Sequence, residues 1–140
     1  MTGAKILIVE DEILIAEDLR LILQRIGYQV VGTASSGVEA IRKADKLRPD
    51  LVLMDIRLQG AMDGVEAARQ IRSKADIPII YVTAHASVLA SLDADDRCTR
   101  LAKPFSPLQL QSAIECVLGD EQSKLNDLGK KLTDRRRAGA

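Results

Sequence analysis

Aromatic residues are nearly absent: the chain has two tyrosines, one phenylalanine and no tryptophan. Its core must therefore be aliphatic, and binding of nucleic acid by base stacking is disfavoured. No apolar run approaches the roughly 20 residues needed to span a bilayer. Lys5 already opens a strand-like run, so the expectation is a chain with no signal peptide and no membrane contact. An excess of charge is missing too. The 20 Lys and Arg residues balance 20 Asp and Glu residues, which gives no electrostatic argument for nucleic acid or a membrane surface. The two cysteines, Cys98 and Cys116, form no metal-ligand spacing. The sequence leaves a disulfide between them open, with two reduced thiols in a cytoplasmic protein as the simpler expectation.

What is present is 140 residues with 46% hydrophobic and 29% charged content, enough for one domain with a real core but not comfortably for two. Residues 5–10 form an apolar run that reads as a buried strand. Ile15, Ala16, Leu19, Ile22, Leu23 and Ile26 then recur at the spacing of one helix face over 12–26, and Gly27 stands where a helix C-terminal cap belongs. Gln29 to Ala34 reads as a second strand. A second helix opens at Ser36 and Gly37 and stops before Pro49. Leu51 to Asp55 is the third strand, and a loop over 56–64 leads to a short helix over 65–72. Ile79 to Val82 is the fourth strand. Residues 86–97 give the least clear pattern, a short fourth helix followed by solvated acids. A brief fifth strand over 99–102 leads to a last helix from Pro107 to Leu118. Such an alternation of strands and helices predicts an α/β fold with a parallel sheet covered on both faces.

Several strand ends carry polar groups. Asp55 closes Leu51-Val52-Leu53-Met54, Glu10 and Asp11 follow Ile6-Leu7-Ile8-Val9, Thr83 follows Ile79 to Val82, and Lys103 closes the weak fifth run before Pro104. In a parallel sheet these ends meet at one edge, where ligands bind. Three carboxylates placed together need a cation to stay ionised. Oxygen ligands without a His or Cys cluster suit Mg²⁺, or Mn²⁺. A carboxylate can also attack phosphorus, while an ammonium and a hydroxyl can hold phosphoryl oxygens. The set describes metal-assisted phosphoryl transfer onto a carboxylate. Taken singly, each residue has a plainer reading: Asp55 as a turn cap, Glu10 and Asp11 as acids at a helix N-terminus, Thr83 as a strand-end residue, Lys103-Pro104 as a surface turn.

The chain resembles the receiver domain of two-component response regulators. The matching pieces are Ile8-Val9-Glu10-Asp11-Glu12, Leu53-Met54-Asp55, Val82-Thr83-Ala84 and Lys103-Pro104-Phe105, within residues 4–119. The resemblance implies a flavodoxin-like, doubly wound (βα)5 fold with the strand order 2-1-3-4-5. It implies that Asp55 accepts phosphate from a histidine kinase or phosphotransfer protein. Asp11 and Asp55 would bind Mg²⁺, Glu10 would bind it through water, and the backbone carbonyl of Arg57 would complete the metal site. Thr83 and Lys103 would hold the phosphoryl group. Output would be altered binding of a downstream protein by a monomer or weak dimer, with no nucleic acid bound by this chain alone.

The sequence departs from the family in three places. Receivers usually carry Tyr or Phe three residues before the lysine, and here Arg100 stands there. Burying an unpaired arginine is costly, so the usual threonine–aromatic switch should be absent or altered. Tyr81 is the candidate substitute, with simple packing as the alternative. The segment between Thr83 and Lys103 is short for the family, so a short, shifted or mobile fourth helix is expected; the chain is similar to a subset of single-domain receivers that lack the switch aromatic and have an irregular fourth helix. The loop after Asp55 is one residue longer than usual and lacks proline, so a looser loop is expected. Arg57 and His85 occupy positions that tune dephosphorylation in the family, although His85 also reads as an exposed loop residue.

Residues 120–140 read as a tail or helix extension without an output domain. Three rival readings stand beside this one, of which a phosphorylation-independent pseudo-receiver is disfavoured because every phosphoryl-transfer residue is present. Another is the receiver half of a longer DNA-binding response regulator. The third is a phosphatase of the haloacid dehalogenase type, which wants a second Asp where Arg57 stands.

Overall fold

A computed structural model describes residues 3–84 and 100–119 of the chain. Five parallel strands form one sheet in the order β2-β1-β3-β4-β5. They are β1 (Lys5–Val9), β2 (Gln29–Ala34), β3 (Leu51–Asp55), β4 (Ile79–Thr83) and β5 (Arg100–Ala102), with helices α1 (Ile13–Ile26), α2 (Gly37–Leu47) and α3 (Gly64–Lys74) between them. A further helix, α4, covers 107–119. The expected fold class and strand order are therefore those observed.

The central strands β1 and β3 are apolar on both faces because both faces are covered. Alternation sorts their side chains. Ile6, Ile8, Leu51, Leu53, Ile80 and Val82 join Leu19 and Leu23 of α1 and Leu110 and Ile114 of α4 in one core. Leu7, Val9, Val52, Met54 and Ile79 join Ala40 and Ala44 of α2 and Ala67, Ala68 and Ile71 of α3 in the other. Leu23 is fully buried, which contributes roughly 1.5–3 kcal/mol. Among the described residues the fully buried core is aliphatic apart from Tyr28, with Phe105 and Tyr81 partly buried against it.

The helix ends follow their sequence signals. Gly27 takes the left-handed conformation at φ 109° and closes α1 with bonds to Leu23 and Gln24. Ser36 caps α2 by accepting from the Glu39 amide, and Asp63 caps α3 by accepting from the Glu66 amide. That cap starts α3 at Gly64, one residue before the expected start, and the helix runs on to Lys74 rather than stopping at Arg72. The expectation of two reduced thiols is corrected: Cys116, half-buried on α4, is disulfide-bonded. A disulfide needs close and well-oriented Cβ atoms, which sequence spacing does not report. The chain's other cysteine, Cys98, lies outside the described residues, as do His85, the segment 86–97 and the tail 120–140.

Candidate functional site

The first strand does not end its ladder at Val9. The Glu10 amide donates to the Ala34 carbonyl at 2.9 Å, so Glu10 continues the strand's path by one residue. Side chains two apart share a face. Glu10 therefore extends the row of Ile6 and Ile8, Asp55 extends that of Leu51 and Leu53, and Lys103 extends that of Leu101. Three charged residues thus follow three apolar rows of the same core face, at the carboxyl edge of the sheet.

Their contacts reflect that placement. The Lys103 ammonium donates to Glu10 Oε2 at 3.2 Å and to Asp55 Oδ2 at 3.3 Å. The Arg57 amide donates to the other Asp55 oxygen, Oδ1, at 3.2 Å. Glu10, Asp11 and Asp55 each offer an oxygen, and these atoms all lie within 4.8 Å of one another. Glu10 and Asp55 are buried, and Asp11 is half-buried.

Burial next to a second acid is costly for a carboxylate. Desolvation, then the hydrogen bond and repulsion from Asp55, push the Glu10 pKa up from 4.5 to about 7, although Lys103 pulls the other way. Burial alone would lower the Lys103 pKa, but the Asp55 and Glu10 carboxylates outweigh it and the pKa is raised, so the ammonium keeps its charge. A divalent cation beside these oxygens would relieve the same repulsion, and an all-oxygen ligand set suits a hard ion such as Mg²⁺.

Thr83 closes β4 and is buried. Asp55 pairs with Val82 in the β3–β4 register, so Thr83 stands one step beyond it on the neighbouring strand. The Thr83 carbonyl accepts from the Lys103 amide at 2.9 Å, tying the two chain segments together. The Lys103–Pro104 peptide bond is cis.

Tyr81 and Arg100 occupy opposed positions in the β4–β5 register. Tyr81 is half-buried and packs on the core beneath α2 and α3, and burial raises its pKa. The loop after Asp55, expected to be loose, is anchored at several points. Ser36 forms an isolated parallel bridge with Gln59, Met62 packs on the α2–α3 core, and the Gly64 amide donates to the Ile56 carbonyl at 2.7 Å. Gly64 is the residue missed in the sequence, where it reads as loop. Its signal is a glycine, a poor helix former, directly after an Asp cap.

Residues 6–115 match the family model of the response regulator receiver domain. The chain is 42% identical over 117 residues to the transcriptional regulatory protein PdtaR of Mycobacterium tuberculosis, covering 81% of this chain and 56% of that protein. It spans about half the length of the curated relatives it matches. Among solved structures it is similar to the receiver domain of Erythrobacter litoralis PhyR, with TM-score 0.76 and 31% identity over 84% of this chain and 92% of that one. It is also similar to the receiver domain of the sensor histidine kinase PA1611 of Pseudomonas aeruginosa PAO1, which holds a magnesium ion in its active-site cleft. That match has TM-score 0.71 and 33% identity, and covers 84% of this chain and 99% of that one. The strand order, the acidic edge and these matches agree: the chain belongs to the response regulator receiver domain family.

Proposed function

We propose that Asp55 is the phosphoacceptor of a phosphorylation-controlled signalling domain spanning residues 4–119, with 120–140 as a tail. The observation that carries this reading is the Lys103 ammonium bridging the Glu10 and Asp55 carboxylates at 3.2 and 3.3 Å. An Asp55 oxygen attacks the phosphorus of a phosphohistidine on a histidine kinase or phosphotransfer protein. The new P–O bond forms as the P–N bond breaks, and the leaving imidazole takes up a proton. Lys103 then turns from the bare carboxylate to the phosphoryl oxygens, where the Thr83 hydroxyl is a second donor. Glu10, Asp11, Asp55 and the Arg57 carbonyl are the residues to hold Mg²⁺, or Mn²⁺, which when bound neutralises charge on the carboxylates and the phosphoryl group. The haloacid dehalogenase reading is not favoured, because Arg57 occupies the place of its general acid.

The donor protein must reach the carboxyl edge of the sheet. Helices α1 and α4 both begin at that edge and pack on the same core. Their first residues expose apolar surface: Ile13 is 83%, Leu14 85% and Leu108 70% exposed. That surface flanks the site and suits a protein donor better than a small molecule. After transfer, the added charge of about −1.5 to −2 alters the surface around β5 and α4, and so the binding of a downstream protein. The reading is tested by incubating the protein with a phosphorylated histidine-kinase core and Mg²⁺, then mapping the modified residue. Phosphate on Asp55 supports it, and phosphate elsewhere overturns it.

A further inference from the structure

The loop that leaves Asp55 is closed at its base by Gly64. This glycine is buried at the first position of α3, and its amide bonds to Ile56. A Cβ built on Gly64 would lie 2.8 Å from the Ile56 Cα and 2.9 Å from the Asp55 carbonyl carbon, and would press into the Asp55 carbonyl oxygen. All of these are backbone atoms, which cannot swing aside. Gly64 is not one of the glycines with positive φ, which among the described residues are Gly3, Gly27 and Gly60. What the position demands is therefore space, not an unusual backbone angle.

The contrast with other crowded glycines is direct. A Cβ at Gly37 would meet the Met62 thioether at 2.9 Å, and one at Gly32 would meet Leu47 Cδ1 at 2.9 Å. Both neighbours are the ends of flexible side chains. Only at Gly64, among the described residues, does the crowding fall on the peptide that carries the phosphoacceptor. The same peptide leads straight to Arg57, whose amide orients Asp55 Oδ1.

We propose that Gly64 is a positioning residue for the phosphoacceptor. The first turn of α3 lies against the Asp55–Ile56 peptide and sets where the Asp55 carboxylate and the Arg57 backbone stand. The rest of the loop, residues 58–63, lies beyond the Gly64–Ile56 bond that closes its base. The inference rests on the reading of Asp55 as phosphoacceptor and Mg²⁺ ligand.

Three variants of the full 140-residue chain test it: Gly64→Ala, Gly32→Ala and insertion of one glycine after the exposed Gly60. Melting temperature, labelling by acetyl phosphate and a Mg²⁺ titration followed by amide chemical shifts are measured on each. Gly64→Ala is expected to slow labelling by roughly a hundredfold, the scale of a 1 Å misplacement. It is also expected to raise the Mg²⁺ concentration for half-shift by roughly tenfold. Gly32→Ala, whose added Cβ meets only the movable end of Leu47, should keep labelling and Mg²⁺ response unchanged with at most a small change in melting temperature, and the loop insertion should leave labelling and Mg²⁺ response unchanged. A folded Gly64→Ala that labels and binds Mg²⁺ like wild type overturns the proposal. So does a Gly32→Ala in which labelling and Mg²⁺ response fall as in Gly64→Ala, since the effect is then not particular to the Asp55–Ile56 peptide. If Gly64→Ala does not fold, the insertion decides: unchanged labelling and Mg²⁺ response support the clamp, and their loss overturns it. If wild type takes up no phosphoryl group, the phosphoacceptor reading fails, and the Mg²⁺ titration alone judges Gly64.

Discussion

The Lys103 ammonium lies 3.3 Å from Asp55 Oδ2, across 48 residues of sequence. That contact exists because β3 and β5 end at the same edge and because Asp55 and Lys103 extend side-chain rows on the same face. The ammonium is also 3.2 Å from Glu10, so one cation serves two buried acids. Replacing Lys103 with Ala leaves those acids facing each other. Labelling by a small phosphodonor should then fall by about 10²–10³-fold, the usual effect of losing one preorganised donor to a developing anion. Unchanged labelling kinetics in Lys103→Ala would remove Lys103 from the chemistry.

The raised pKa of Glu10 has two pH consequences. Its folded value of about 7 exceeds the ordinary 4.5 because of burial first, then the hydrogen bond and charge of Asp55. The folded chain thus holds this proton more tightly than the unfolded chain does. The stabilisation is fully present below pH 4.5, declines as pH rises, and is gone above about pH 7. If Mg²⁺ is held with Glu10 ionised, as proposed, its half-saturating concentration should rise as pH falls below about 7. Thermal melts with and without Mg²⁺ check this: the Mg²⁺-induced rise in Tm should be larger on the alkaline side of that window. A rise that is the same on both sides would refute it.

Tyr81 and Arg100 are neighbours in the β4–β5 register, yet Tyr81 belongs to the core under α2 and α3. Packing is therefore the reading its surroundings favour over a switch. Tyr81→Phe keeps the ring, and its stability should stay within about 0.5 kcal/mol of wild type. The amide shift changes on phosphorylation should be retained. Their disappearance in Tyr81→Phe would make the tyrosine hydroxyl part of the switch.

The helix caps set the entry to α2 and α3 on either side of the anchored loop. Ser36 Oγ accepts from Glu39 at 3.2 Å and Asp63 Oδ1 accepts from Glu66 at 2.9 Å. Ser36→Ala and Asp63→Ala should each cost about 1 kcal/mol in urea unfolding. The Ser36 hydroxyl bonds to the Glu39 amide rather than to Asp55 or Lys103, so Ser36→Ala should label at the wild-type rate. Losses near zero for both would show that the caps are replaced by water at no cost.

Much of this was legible in the residues because the sheet is nearly all buried. Runs such as Leu51 to Met54 are apolar without interruption, so a polar residue at their end marks the edge. This is why Glu10, Asp11, Asp55 and Lys103 could be assigned to one place before any geometry was known. The start of α3 was less legible, since Asp63-Gly64 reads equally as a turn and as a cap with its first helical residue. The Asp63-Gly64 pair signals a cap, but the crowding of Gly64 against the Asp55–Ile56 peptide is not legible in the residues, because that contact forms only once the loop has closed. The Tyr81–Arg100 pairing depends on register, which a three-residue strand such as β5 does not announce. The state of Cys116 depends on spatial approach, which spacing along the chain does not give.

The most direct test of the central claim compares wild type with Asp55→Asn after incubation with acetyl phosphate and Mg²⁺, read by intact mass. The account requires one added phosphoryl group on wild type and none on Asp55→Asn, with both chains folded. Equal labelling of the two would contradict it.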